Sequence, residues 1–107
     1  MDFWVPYRGS VIRLATDRIE RIEAERDYIR IIGEGRSYLL RATLGDMESR
    51  LASQSFVRIH RSTVIDLTRI KGMRYVGAGA WVVIDADDTE RPVGRNYLSG
   101  IRHRLRL

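Results

Sequence analysis

Phe56-Val57-Arg58-Ile59-His60-Arg61-Ser62-Thr63-Val64-Ile65-Asp66-Leu67, residues 56–67, is the stretch that decides the fold of this 107-residue chain. Over 56–60 apolar and polar side chains alternate, which predicts a strand with Val57 and Ile59 toward a core and Phe56, Arg58 and His60 on the other face. Such a strand delivers His60, Arg61 and Ser62 into the loop that follows. Three donor-bearing side chains in a row suit phosphate and base-edge contacts. Read from the residues alone, an alternative stands beside this one, with Arg58 and Arg61 solvated and His60 capping a loop carbonyl. Val64-Ile65-Asp66-Leu67 then reads as a second β run.

Further β signals lie on both sides. Val11-Ile12-Arg13-Leu14-Ala15 is a short β-like run, and residues 1–10, with Pro6, Gly9 and Ser10, read as a lead-in or the end of a linker. Ile19, Ile22 and Ala24 interleave with charged residues in a pattern that fits a helix or an irregular strand. Tyr28-Ile29-Arg30-Ile31-Ile32 and Ser37-Tyr38-Leu39-Leu40-Arg41, joined by Gly33-Glu34-Gly35, predict a hairpin. Thr43 has the chemistry of an N-cap with Asp46 three positions on, and Leu44, Met47 and Leu51 supply one apolar helix face. Beyond residue 67, Met73 to Val76, Trp81 to Ile84 and Thr89 to Val93 alternate with turns at Gly77-Ala78-Gly79 and Asp87-Asp88. Tyr97, Leu98, Ile101 and Leu105 form an apolar stripe on a last helix, which Gly100 weakens. The fold class is therefore mostly β: small antiparallel sheets with one or two short helices, in a single domain over 11–107.

The charge is uneven. Residues 1–55 hold nine Arg and nine acids, whereas residues 56–107 hold nine Arg, Lys71 and five acids, so the whole net charge of +5 lies in the second half. It concentrates in 56–74 and in 91–107, the latter without an acid. A GC-rich coding bias also favours Arg, but it does not segregate charge along a chain. Arg carries a planar fork that pairs bidentately with phosphates and guanine edges.

Several function classes drop out. There is no Cys, which removes disulfides, thiolate metal sites and cysteine nucleophiles and suits a reducing compartment. No apolar run approaches the roughly 20 residues that span a bilayer, and Met1-Asp2-Phe3-Trp4-Val5-Pro6 lacks the basic and apolar regions of a signal peptide. The expectation is a cytoplasmic protein without membrane insertion. His60 and His103 fit no metal-ligand spacing, Ser62 has no G-x-S-x-G context, and Gly77-Ala78-Gly79 is no phosphate loop. Asp85, Asp87 and Asp88 lack the Gly and terminal Glu of a calcium loop and read as a solvated turn. Neither catalysis, a cofactor nor a metal is expected.

Val93-Gly94-Arg95-Asn96-Tyr97 is the second candidate for binding chemistry. Gly94 allows a sharp turn before the last helix. Arg95 and Asn96 match guanine and adenine edges in the major groove, although Asn96 is equally suited to capping that helix.

Ile22-Glu23-Ala24 with Tyr28 shortly after, Tyr38-Leu39-Leu40-Arg41-Ala42-Thr43-Leu44, Phe56 to Ser62, and Pro92 to Tyr97 occur in that order. Together they closely resemble the LytTR family of bacterial DNA-binding domains over roughly residues 10–105. The resemblance implies small β-sheets in an elongated, sandwich-like arrangement, without a helix-turn-helix. Loops would enter successive major grooves of double-stranded DNA at promoter direct repeats, often as two copies. It also implies a place as response-regulator output domain in a two-component system, with a receiver domain or a regulatory protein in trans as partner. The positions it makes DNA-facing are Arg26, Asp27 and Tyr28 after Ala24, then His60, Arg61 and Ser62, then Arg95. Arg61 and Arg95 would read bases, with Asn96 beside them, while Arg58, Ser62, Lys71 and Arg74 would hold the DNA backbone. The family's V-N-L is Ile65-Asp66-Leu67 here. Glu23, Glu25 and Asp27 put acid around the first of these loops. Two other functions remain open on the sequence: a protein-interaction module, and a single-stranded RNA binder stacking bases on Tyr28, Tyr38, Tyr75 or Trp81.

Overall fold

Period-two alternation places opposite faces of a strand in different environments, and here two faces meet two separate cores. The computed structural model describes residues 2–52 and 55–107. Its elements are β1 (Asp2–Tyr7), β2 (Ser10–Ala15), β3 (Arg21–Glu25), β4 (Tyr28–Gly33), β5 (Arg36–Leu40), α1 (Leu44–Arg50), β6 (Phe56–His60), β7 (Thr63–Asp66), β8 (Ile70–Gly77), β9 (Ala80–Asp85), β10 (Glu90–Pro92) and α2 (Leu98–Leu105). Short 3-10 turns stand at Thr16–Arg18, Leu67–Arg69 and Arg95–Tyr97.

The strands form three antiparallel sheets: β1-β2, a five-stranded sheet in the order β5-β4-β3-β7-β6, and β10-β9-β8. They follow one another along a molecule of 45 × 24 × 24 Å, the elongated mostly-β arrangement expected. In the five-stranded sheet β3 lies between β4 and β7, with Ile22 opposite both Ile31 and Val64. The pattern over 19–25, open between helix and strand in the sequence, thus resolves as the strand β3, entered through an extended link at 19–20 that follows the Thr16–Arg18 turn.

One core lies between the five-stranded sheet, the β1-β2 hairpin and α1, with Phe3, Val5, Ile22, Ile31, Met47 and Val64 buried in it. The other joins Val57, Ile59 and Ile65 to Val83 of β9 and Ile101 of α2. Val64 and Ile65, adjacent on β7, point to opposite faces and therefore enter different cores. Phe56 and Val57 divide in the same way. Phe56, expected on the polar face of its strand, is buried in the first core. That face is polar only at Arg58 and His60. Residues 2–7, expected within a lead-in, form a strand whose Phe3 and Val5 are almost wholly buried.

Local chemistry sets α1. Thr43 is extended and its Oγ1 accepts the Asp46 N–H at 3.0 Å, satisfying one of the free donors of the first turn. Thr43→Ala is expected to cost about 1 kcal/mol, read as a lower urea midpoint with an unchanged slope.

The turn after β9 departs from expectation. Asp85 is 4% exposed rather than solvated. Its carboxylate accepts from Arg91 Nε at 2.7 Å and from the Asp87 and Thr89 amides at 3.1 and 3.3 Å. A carboxylate withdrawn from water needs such partners. Asp85→Asn keeps the shape but leaves the half-buried Arg91 charge without its closest partner. It should destabilise by about 2 kcal/mol, visible as a drop in the melting temperature.

A candidate nucleic-acid interface

Three turns meet at one end of the strands. The β3-β4 turn consists of Arg26 and Asp27, since Glu25 pairs with Tyr28. The β6-β7 turn consists of Arg61 and Ser62, since His60 pairs with Thr63. The Ala24 amide donates to the Ser62 carbonyl at 2.9 Å and joins these two turns. The Gly94 amide donates to the Ile59 carbonyl at 2.7 Å and brings the 93–96 segment beside them. Gly94 is not needed for an unusual backbone angle, because its φ is −68°. It is needed for room: a Cβ there would lie 2.9 Å from Tyr97 Cδ2 and 3.5 Å from the His60 Cα.

Within this cluster Arg26, Arg61 and Arg95 are exposed. None of the hydrogen bonds or ion pairs among the described residues uses these three side chains. Arg26 occupies the left-handed region at φ 60°, which turns the chain in two residues. Asn96 is exposed and caps neither the 95–97 turn nor α2, since no side-chain cap bond forms at either. Tyr28 stands 39% exposed at the start of β4.

The acids around the first turn are largely neutralised. Glu23 lies 2.8 Å from Arg21 Nε and 3.8 Å from Arg91 Nη1. Glu25 forms a fork with Arg30 at 2.6 and 3.0 Å, and the hydrogen bond from Arg30 holds its carboxyl below the usual range. Asp27 is the acid left unpaired among the described residues of these turns.

His60 and Ser62 build the second turn rather than simply occupying it. The Ser62 amide donates to His60 Nδ1 at 3.2 Å, with Ser62 Oγ 2.8 Å from the same nitrogen. An amide can only donate, so Nδ1 is the acceptor and the neutral ring carries its proton on Nε2. Arg58 donates from Nε to the His60 carbonyl at 2.9 Å and from Nη2 to the Arg61 carbonyl at 2.5 Å. Its Nη1 pairs with Glu48 of α1, and its guanidinium lies 5.4 Å from the centre of the Tyr97 ring.

Lys71 and Arg74, expected to hold DNA phosphates, lie on β8, and each is paired with an acid. Lys71 pairs with Asp88, and Arg74 forms a fork with Glu90 at 2.8 and 2.5 Å. Glu90 is held below the usual carboxylate range by that partner. Asp66, where the family has Asn, sits at the opposite end of β7. It accepts from the Thr68 amide at 3.0 Å, from Thr68 Oγ1 at 2.9 Å and from Ser55 Oγ at 3.1 Å. Its work is to shape a turn.

The structure adds one element to which the sequence assigns no DNA contact, Trp81 in it being named only as a stacking ring for single-stranded RNA. The β8-β9 tip reaches the cluster, where Gly79, Ala80 and Trp81 line a cleft of about 180 Å³ with Val93, Arg95 and Leu98. The turn glycines were visible in the sequence, but their proximity to Arg95 depends on the Trp81 carbonyl accepting the Val93 amide at 3.0 Å. The aromatic side chains do not make a shared stacking surface. Tyr38 is buried against Tyr7, and Trp81 is packed by Tyr75 and Arg102.

A family model described as the LytTr DNA-binding domain matches residues 9–106. The chain is 30% identical over 106 residues to the heme-containing CO-sensing transcriptional regulator RcoM 2 of Paraburkholderia xenovorans, covering 96% of this chain and 40% of that protein. It is 24% identical to the sensory transduction protein LytT of Enterococcus faecalis, over 96% of this chain and 43% of that one. The chain thus spans about two fifths of the length of these relatives. Among solved structures, the LytTr DNA-binding domain of a putative methyl-accepting/DNA response regulator from Bacillus cereus superposes with a TM-score of 0.86. That match covers 99% of this chain and 97% of the other at 20% identity, a likeness of fold.

Proposed function

This chain belongs to the LytTr DNA-binding domain family, and we propose that it binds duplex DNA sequence-specifically with the three joined turns rather than with a helix. The observation that carries this reading is the convergence of Arg26, Arg61 and Arg95, uncommitted to any protein acceptor, on turns hydrogen-bonded to one another. A guanidinium already paired with a carboxylate must give up that partner to bind DNA, whereas these three need give up only water. Arg61 and Arg95 read guanine edges in the major groove, and Asn96 stands beside Arg95 for an adenine. The His60 Nε2–H is a fixed donor, suited to a base or phosphate acceptor. Arg26 supplies backbone charge. Asp27 and Tyr28 edge the first turn, with Asp27 limited to accepting, as from cytosine N4.

The setting is a cytoplasmic transcription regulator in which a receiver domain or another regulatory protein governs the domain, with two copies side by side on promoter direct repeats. Among the described residues, no helix is long and apolar enough to cross a membrane. Selection of bound sequences from random duplex DNA at two salt concentrations tests the reading. A recurring motif that persists at the higher salt supports it. Enrichment that vanishes uniformly with salt reduces the surface to a general polyanion binder and defeats it.

A further inference from the structure

We infer that Arg58 is a positioning residue that sets the spacing between the two base-reading segments and makes no contact with DNA itself. This rests on the DNA-binding reading above and extends it to how the readers are held.

The Arg58 side chain is 18% exposed, and every nitrogen of its guanidinium is already engaged. Nε and Nη2 hold the carbonyls of His60 and Arg61, the two successive peptides on either side of the Arg61 Cα in the β6-β7 turn. Nη1 is tied to Glu48 on α1. Its Cζ lies over the Tyr97 ring, 5.4 Å from the ring centre, and Tyr97 ends the 3-10 turn that carries Arg95 and Asn96. One rigid planar group therefore touches the Arg61 turn, the Arg95 turn and a helix anchored in the first core. A planar fork suits this task because its donors point in fixed directions. A phosphate contact would require it to leave several of these partners at once. Lysine carries the same charge, but its flexible ammonium does not reproduce the fork that holds both carbonyls and Glu48 at once.

The two roles give opposite results for charge-conserving replacement. Arg58→Lys, Arg58→Gln and Glu48→Gln are made in the whole chain. Affinity is measured for the selected duplex and for a scrambled duplex, across a salt series. Positioning predicts that Arg58→Lys and Arg58→Gln both lose at least about tenfold on the selected duplex. Scrambled duplex falls no more than about twofold for Arg58→Lys, with its salt slope unchanged. Glu48→Gln, which removes one tether and leaves the carbonyl bonds, loses less but with the same preference for the selected sequence. A direct phosphate contact predicts that Arg58→Lys binds like the parent, while Arg58→Gln weakens on both duplexes with a slope lower by about 1. That result, or parental discrimination in both Arg58 variants, overturns the inference. If an Arg58 variant does not fold, the Glu48→Gln measurement still decides, with unchanged discrimination counting against the tether. Failure of the parent chain to prefer any duplex would instead overturn the DNA-reading proposal, so the two failures are distinguishable.

Discussion

Gly33→Ala is expected to destabilise the domain by about 3 kcal/mol or more, at or beyond the upper end of ordinary overpacking. Gly33 is buried as the last residue of β4, and a Cβ on it would lie 2.0 Å from the Arg18 carbonyl oxygen and 3.0 Å from the Arg18 carbon. These are backbone atoms of the 3-10 turn between β2 and β3, so no rotamer change relieves the clash. The end of β4 has to move away. That strains the bond from the Glu20 amide to the Ile32 carbonyl, 2.8 Å long, which ties the same segments together. For a domain of this size the loss corresponds to roughly 12–24 °C in melting temperature. Gly35→Ala is the comparison. Gly35 has φ +72° and nothing within 4 Å of its added Cβ, so it bears only the left-handed penalty of about 1–2 kcal/mol. Equal melting temperatures for the two variants would refute the steric argument.

The double variant Arg61→Ala/Arg95→Ala is expected to carry the largest functional loss. Each good bidentate Arg–guanine pair contributes about 1–3 kcal/mol of discrimination, so losing both should weaken binding to the selected duplex by about 2–6 kcal/mol. Each single variant should relax preference at its own base-pair position and leave the other position read as before. Both side chains are exposed and unpaired in the protein, so folding should be unaffected and the melting temperature should stay within a degree or two. Repeating the duplex selection with each variant measures this directly. Unchanged motifs in both would show that base readout lies elsewhere on the surface.

The two variants probe different kinds of information. Arg61 and Arg95 stand in segments whose local pattern identifies them: a period-two strand running into a polar turn, and a Gly-Arg-Asn sequence before a helix. The N-cap at Thr43 is local in the same way, since donor and acceptor are three residues apart. So is the hairpin around Glu34-Gly35, where φ of 53° and 72° marks the turn. Gly33 belongs to the same tripeptide and looks like part of the turn. Its actual constraint comes from the Arg18 carbonyl, which no neighbouring residue reveals. The Asp85 carboxylate reads as solvated until Arg91 is brought back beside it by the β9-β10 pairing.

The candidate site divides along the same line. The sequence names the residues of the second and third turns because Arg, Asn and Ser at turn positions carry their chemistry with them, and those of the first only through the family resemblance. It grouped Arg58, Lys71 and Arg74 with them on charge alone. The structure places all three guanidinium or ammonium heads against protein acceptors. A side chain's charge is set by its own atoms, but its availability is set by whatever the fold places next to it.

The β-rich class, the capped helix, the basic second half and the polar residues of the turns are legible in the chain itself, because each depends on a few neighbouring residues. Tertiary structure alone decided that the strand bearing Phe56 and Val57 feeds two cores, that residues 2–7 belong to the fold, and which cations remain free. These features arise where strands far apart in the chain meet, and pairing of that kind leaves no signature within any single segment.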